Sequence, residues 1–356
     1  MKLASLSDLH LTNDLPYTPP GDTYRKKLLI KYLYKFFKEI KKEKVDALLI
    51  PGDVCHQSAL LADDVDLLYV LMSCIVNTKI PTVISTGNHD LDGDSSILKF
   101  LKRASKAFGN LYYSEKLVWR KVFKDKDLTV DIINSCTYHK FLDVVKKLKK
   151  REPGTKYSVL IGHVGVKGAL HGSTKSIVGV KPEDIEDISE NYDAVVLGHF
   201  HCFQWVTSKC FYVGSCQQTR LDEALTQPGG IVFTLPNLVH TRILNEVSPR
   251  FSVIDDYSLD EERVRGMIVK PVLDLEGKSK LENLGFIASL NDMDPYYLIK
   301  PRIAKVFTTE ETGAISYGKA DKTKALIKTM KTFKVKKAKA KELYDHTMEI
   351  WNETSN

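Results

Sequence analysis

The chain has 356 residues, 43% hydrophobic and 27% charged, with 52 Lys and Arg against 45 Asp and Glu for a formal net charge of +7. These proportions are ordinary for a soluble globular protein and argue against disordered and membrane classes, and no apolar run reaches the ~18 residues of a membrane-crossing helix. The positive excess favours polyanionic partners, while six scattered cysteines with no C-x-x-C pair fit reduced thiols in the cytoplasm.

The N-terminal MKLASLSDLHL meets polar residues by Ser7, lacks the apolar segment of a secretory signal, and reads as a strand over 2–7. Further strands are expected over 47–50 and 82–85, with helices over 22–44 and 60–77 between them, a β-α-β-α-β rhythm. In the first helix Leu28, Leu29, Tyr32, Leu33, Phe36, Phe37 and Ile40 recur at helical spacing with lysines opposite, which is a core-facing stripe. A third helix is expected over 95–108. Strands then dominate, over 117–123, 128–134, 158–161, 194–197, 203–207, 211–213 and 231–235, with one helix over 141–150. The pattern predicts an α/β fold in which a two-sheet β-sandwich is flanked by helices.

Composition shifts near Pro249, so three domains are expected: the sandwich over 1–250, a small α+β capping module over 251–318, and a lysine-rich helical tail over 319–356. The module's strands are expected in MIVKPVLDL and YYLIKPRIAKVF. Between 319 and 341 the tail carries ten lysines and one acid, Asp321. Leu326, Ile327, Met330 and Phe333 form one helical stripe there, and Leu343, Tyr344, Met348 and Trp351 another.

Each apolar strand of the first two-thirds ends on residues able to bind metal. Asp8 and His10 follow the first as D-x-H, Asp53 and His56 the second as PGDVCHQ, and Asn88, His89 and Asp90 the third as GNHD. His163 follows VLIG, and His199 with His201 follows AVVLG as GHFH. Ligands of open α/β sheets bind beyond the carboxyl ends of strands, where residues distant in sequence meet. Turn chemistry accounts for Gly, Asn, Asp and Ser at such places, but not for recurrent histidine. Mixed imidazole and oxygen donors suit manganese, iron or zinc, and paired ions ~3.5–4 Å apart serve phosphoryl transfer.

D-x-H, G-D, G-N-H-D, H and G-H-x-H in this order resemble the calcineurin-like metallophosphoesterase superfamily over about residues 1–245. The resemblance implies one metal held by Asp8, His10, Asp53 and His201. It implies a second held by Asp53, Asn88, His163 and His199, with Asp53 bridging, His89 as the acid for the leaving oxygen and Asp90 orienting it. GDVCHQ with His56, the segment FYVGSCQQTRLDEA before a GGIVFTL strand, and the module-plus-tail layout are most similar to the SbcD nuclease branch; the GDxVDRG and GNHE signatures of protein phosphatases are absent. That branch implies a homodimer with two manganese ions, double-stranded DNA exonuclease and single-stranded endonuclease activity, an SbcC-like ATPase partner and no membrane association. The chain has no G-x-x-x-x-G-K-[ST] loop of its own.

Arg220 suits either a phosphate contact or a salt bridge, and Lys334, Lys336 and Lys337 suit either DNA contact or a solvated face. Two rival functions use the same fold: a phosphodiesterase or pyrophosphatase acting on small molecules, and a non-catalytic scaffold, in which degenerate ligands would be expected.

Overall fold

The computed structural model describes residues 1–301 except 20, 94, 149–153 and 276. The lysine-rich tail, Lys334, Lys336 and Lys337, and the second half of YYLIKPRIAKVF lie outside the described residues. The chain divides into two compact units, Met1–Ser248 and Pro249–Asn356.

The first unit opens with β1 (Lys2–Ser5), α1 (Tyr24–Lys42), β2 (Ala47–Pro51), α2 (Ala62–Thr78) and β3 (Thr82–Ser85). The expected single helix over 95–108 is instead a short strand Ser95–Ser96, a 3₁₀ turn Ile97–Phe100 and α3 (Leu101–Phe108). The Ser96 hydroxyl accepts from the Leu98 amide at 3.0 Å and so starts the helical turn later than the apolar pattern suggests. Next come β4 (Leu111–Tyr112), β5 (Val118–Phe123), β6 (Leu128–Ile133), α4 (Tyr138–Val145), β7 (Tyr157–His163) and α5 (Pro182–Ser189). The unit finishes with β8 (Ala194–Gly198), β9 (Gln204–Trp205), β10 (Cys210–Tyr212), β11 (Gly229–Thr234) and β12 (His240–Leu244).

These strands form two six-stranded sheets, ordered β12-β11-β1-β2-β3-β4 and β9-β10-β8-β7-β6-β5. The central strands β1, β2 and β3 run parallel, as do β6, β7, β8 and β10. Period-two alternation divides the apolar side chains between layers. Leu3, Leu49, Val83 and Phe233 face Val130, Ile161 and Val196 in the core between the sheets. Ala4, Leu48, Ile50 and Ile84 pack on Leu33, Phe36, Leu67 and Leu71 of α1 and α2. Leu160, Val195 and Leu197 pack on Phe141 and Ile185 of α4 and α5. The result is the expected α/β sandwich flanked by helices, with parallel strands buried on both faces.

The second unit holds β13 (Phe251–Ile254), β14 (Ile268–Pro271), α6 (Lys280–Asp292) and β15 (Tyr297–Leu298), with the three strands parallel in that order. Ile254, Val269, Phe286 and Leu290 form its small core. Ser279 and Glu282 cap α6 reciprocally: the Ser279 hydroxyl accepts from the Glu282 amide at 3.2 Å, and the Glu282 carboxylate accepts from the Ser279 amide at 2.9 Å. Among the described residues no helix is long and apolar enough to cross a membrane.

Candidate metal centre

The ends of β1, β2, β3, β7 and β8 converge where the two sheets approach each other. Past its last paired residue, β1 keeps company with β2: the amides of Asp8, His10 and Leu11 donate to the carbonyls of Gly52, Asp53 and Val54 at 3.2, 3.1 and 2.9 Å. Gly198 at the end of β8 permits the closest approach of the second sheet. A Cβ there would run into the Pro51 carbonyl oxygen and stand 2.8 Å from His163 Nδ1. The glycine of GHFH is thus a packing requirement, and it brings His199 and His201 to the carboxylates of the first sheet.

The turns that present these groups are strained. Asp8, His10 and Asp53 have φ of 47°, 44° and 47°, and His199 has 109°, conformations costing ~1–3 kcal/mol each in a non-glycine residue and concentrated at functional sites.

The polar atoms are placed as a ligand set. His10 Nε2 and His201 Nε2 stand 3.0 Å apart, and Asp53 Oδ2 lies 3.2 Å from His163 Nε2 and 3.8 Å from His10 Nε2. Asn88 Oδ1 is 3.1 Å from His163 Nε2 and 3.2 Å from His199 Nδ1. Asp8 Oδ1 accepts from the His199 amide at 3.0 Å, while Asp8 Oδ2 is buried with no hydrogen-bond partner. An orphaned carboxylate oxygen beside imidazole nitrogens aimed at one another is what a cation would satisfy. Asp8, His10 and His201 form one cluster of donor atoms mutually within 4.8 Å, and Asp8, Asp53 and His163 form another. All seven residues expected as ligands therefore lie together; Asp8 is common to the two clusters, and Asp53 Oδ2 lies near both His163 and His10.

Electrostatics prepares the donors. Burial, then the neighbouring His201, holds His10 well below the ordinary histidine range, and burial with His163 takes His199 down to about 3, so both rings are neutral. His163 behaves oppositely: burial opposes its charge, but Asp53 outweighs it and raises the ring to about 9. Its Nδ1 donates to the Pro51 carbonyl at 2.9 Å, so a metal would take Nε2 and displace the proton held there.

His89 and His56 flank this set. Their rings stack with centroids 5.8 Å apart, His89 Nδ1 donates to the His56 carbonyl at 2.6 Å, and His56 Nδ1 is 3.3 Å from His10 Nδ1. His10, His56 and His89 form a third cluster of donor atoms. The expectation that Asp90 orients His89 is corrected here. Asp90 is fully buried and accepts from the amides of Gly87, Val54 and Cys55 at 2.9, 3.2 and 2.9 Å. It ties the Asp53 turn to the Asn88 turn and leaves His89 to the His56 carbonyl. Burial, then the charge of Asp53, raises the Asp90 carboxyl to about 7 against those three donors.

Glu223 is a functional residue that motif reading does not single out. Fully buried, it accepts from His201 Nδ1 at 2.7 Å and from the Thr219 amide at 2.7 Å. Burial pushes its carboxyl up, but the bond and charge of His201, with the Thr219 amide and Arg220, together bring it to about 2. A carboxylate on the far nitrogen fixes the tautomer and raises the basicity of a ligating histidine. The sequence signal is the resemblance of FYVGSCQQTRLDEA to a nuclease segment in which a Gly-Ser turn precedes an acidic residue, which leaves open which acid it is and what it contacts. Glu223→Gln should weaken manganese binding by ~10–100-fold, measured by calorimetry on the purified chain; unchanged affinity would leave Glu223 a purely structural role. Arg220 takes the salt-bridge alternative: its Nε lies 3.3 Å from Glu223 and 3.7 Å from Asp222, and its Nη2 is 2.6 Å from His171 Nε2.

Comparison with known proteins matches residues 1–203 to the family model described as calcineurin-like phosphoesterase. Protein 078R of Invertebrate iridescent virus 3, named as a phosphoesterase, is 25% identical over 207 residues, covering 56% of this chain and 56% of that protein. The chain thus spans little more than half the length of that relative. TT1561 of Thermus thermophilus aligns with a TM-score of 0.41 at 11% identity, over 69% of this chain and 99% of that one. A dimetal phosphatase from Danio rerio, LOC 393393, aligns with 0.42 at 8% identity, over 69% and 96%.

Proposed function

The chain belongs to the calcineurin-like phosphoesterase family, and from that premise we propose that it is a manganese-dependent DNA nuclease of the SbcD type, cleaving duplex ends and single strands beside an SbcC-like ATPase. The observation that carries the phosphodiesterase part is the placement of His56 and His89 as a stacked pair against His10, itself one of the ligand set. Protein-phosphatase signatures are absent from the sequence. The net charge of +7 and the lysine-rich tail support a polyanionic substrate.

Asp8, His10, Asp53 and His201 would hold one ion and Asp53, Asn88, His163 and His199 the other. When bound, such a pair supplies activation of water and neutralises charge on the attacking and leaving oxygens. The chain's own residues do the rest. Asp53 receives the His89 amide on Oδ1 at 2.8 Å, which aligns the GNHD turn with the ligand set. His89, its Nδ1 fixed by the His56 carbonyl, keeps Nε2 for delivering a proton to the leaving oxygen, a role worth ~10²–10⁴-fold. Glu223 steadies His201 from behind.

End-labelled duplex DNA and a small phosphodiester, each incubated with the protein and manganese, separate this reading from the small-molecule one. DNA left intact while the small ester is consumed would overturn the nuclease assignment. Deleting residues 319–356 should abolish co-purification with an SbcC-like ATPase and ATP-stimulated duplex processing, while sparing cleavage of short single strands, since every proposed ligand precedes residue 202. Undiminished binding of the ATPase by the truncated chain would rule out docking by the tail.

A homodimer is part of the proposal. Its support is an apolar groove of about 680 Å³ between α2 and the 97–108 segment, lined by Leu60, Val65, Tyr69, Met72, Phe100 and Phe108. Tyr69 is 71% exposed and Val65 53%, and contiguous exposed apolar surface marks interaction sites. Tyr69→Glu should give a monomer in sedimentation at micromolar concentration where the wild type is dimeric; a dimer in both would place the interface elsewhere.

A further inference from the structure

A concavity of about 310 Å³ opens from Asn88, His163 and His199, which form part of its lining, and extends past the ligand set. Tyr138 at the start of α4 contributes to its wall, and so do Ser176 and Val178 of the loop between β7 and α5. The Tyr138 ring is half-buried and lies over His139 with centroids 4.0 Å apart.

The loop is built rather than loose. Val166 bridges Val180, Leu170 pairs with Lys175, and the Gln204 side chain holds Leu170 by its amide at 2.7 Å and its carbonyl at 2.8 Å. His171 stacks on Phe200 at 5.2 Å and receives Arg220. A loop so clamped nonetheless leaves Ile177 84% and Val178 58% exposed. Apolar side chains held rigidly in water beside a polar centre call for an apolar ligand surface.

The volume sits at the lower end of small-molecule sites, ~300–1,000 Å³, room for one base and its sugar but not for a duplex. An aromatic ring and an aliphatic side chain that line one space can grip the face of a nucleobase whatever its sequence. We propose that this concavity takes the nucleoside attached to the phosphate being hydrolysed, its base lying on Tyr138 and against Val178, so that the protein acts on phosphodiesters presenting an unpaired nucleotide. The proposal rests on the phosphodiesterase reading above and adds to it the recognised unit.

Calorimetric titration of the full manganese-loaded chain with thymidine 5′-monophosphate and, separately, inorganic phosphate tests it. The nucleotide should bind ~10-fold or more tighter than phosphate, the size of one base stack. Tyr138→Ala should bring the two affinities within about twofold, and Tyr138→Phe should keep the preference, because stacking needs the ring and not the hydroxyl. Val178→Asp, at an exposed position that the fold tolerates, should act like Tyr138→Ala. Equal affinities in the wild type, or a preference that survives both Tyr138→Ala and Val178→Asp, would overturn the proposal. The DNA assay separates the two failures. Intact DNA with a Tyr138-dependent nucleotide preference sinks the nuclease reading and leaves the nucleoside site standing; cleaved DNA without that preference sinks the nucleoside site alone.

Discussion

Asp53→Ala is expected to lower phosphodiester hydrolysis by ~10³-fold or more, because it removes the carboxylate that reaches both His163 and His10, and the metal contribution is worth several kcal/mol at ~1.4 kcal/mol per tenfold. Asp53 Oδ2 lies 3.2 Å from His163 and 3.8 Å from His10. Metal analysis of the dialysed variant should find fewer than two manganese ions per chain. A variant that retained two would dismiss the shared-ligand geometry.

The same change should destabilise the metal-free protein by ~3–5 kcal/mol, since it leaves His163 buried without its anion. Burial works against ionisation of both partners, yet the charge and hydrogen bond of His163 hold Asp53 well below the carboxylate range, and Asp53 raises His163 to about 9. A depressed carboxylate stabilises above its unfolded value of ~3.9 and loses that contribution as pH falls. A raised histidine stabilises fully below ~6.5 and loses its contribution as pH rises through about 9. The gap between wild-type and variant melting temperatures, measured in chelator, should therefore be widest between about pH 4 and 6.5 and shrink toward pH 9. A gap independent of pH would mean that the pair is not ionic.

His89→Ala should reduce cleavage by ~10²-fold or more while leaving the metals in place. The His89 backbone amide, which survives the substitution, makes the contact to Asp53, and its ring is exposed and held by the His56 carbonyl. Asn88→Ala one residue earlier removes the oxygen shared by His163 and His199 and should instead weaken one ion. Counting manganese in both variants tests the division of labour. Loss of metal from the His89 variant would make that ring a ligand.

What the sequence displayed of this centre follows from where strands end. Asp8, Asp53, Asn88, His163 and His199 each follow a run of buried apolar residues, so local pattern locates them before any contact is known. Glu223 was not legible because its meaning comes from His201, 22 positions away, across a turn with no periodicity. Asp90 was legible as a site residue but not in its partners, since three backbone amides leave no trace in side-chain identity. In the fold, α5 passed unread although Pro182, Glu183 and Asp184 open it as helix starts prefer, and α6 although Ser279 and Glu282 spell its cap. α5 has only eight residues, and in α6 buried positions follow one another without a single apolar face. The edge strand β12 escaped because its half-exposed residues do not alternate cleanly.

The left-handed conformations at Asp8, His10 and Asp53 set heat resistance against chemistry within a single chain. Glycine at Asp8 would relieve a φ of 47° and remove a buried carboxylate oxygen that lacks a partner, so a screen for survival of heating, run without metal, would favour the variant that can no longer catalyse. Directed evolution of a hardier form would need a divalent metal present at every round, because ligand binding to the native state alone reverses that preference.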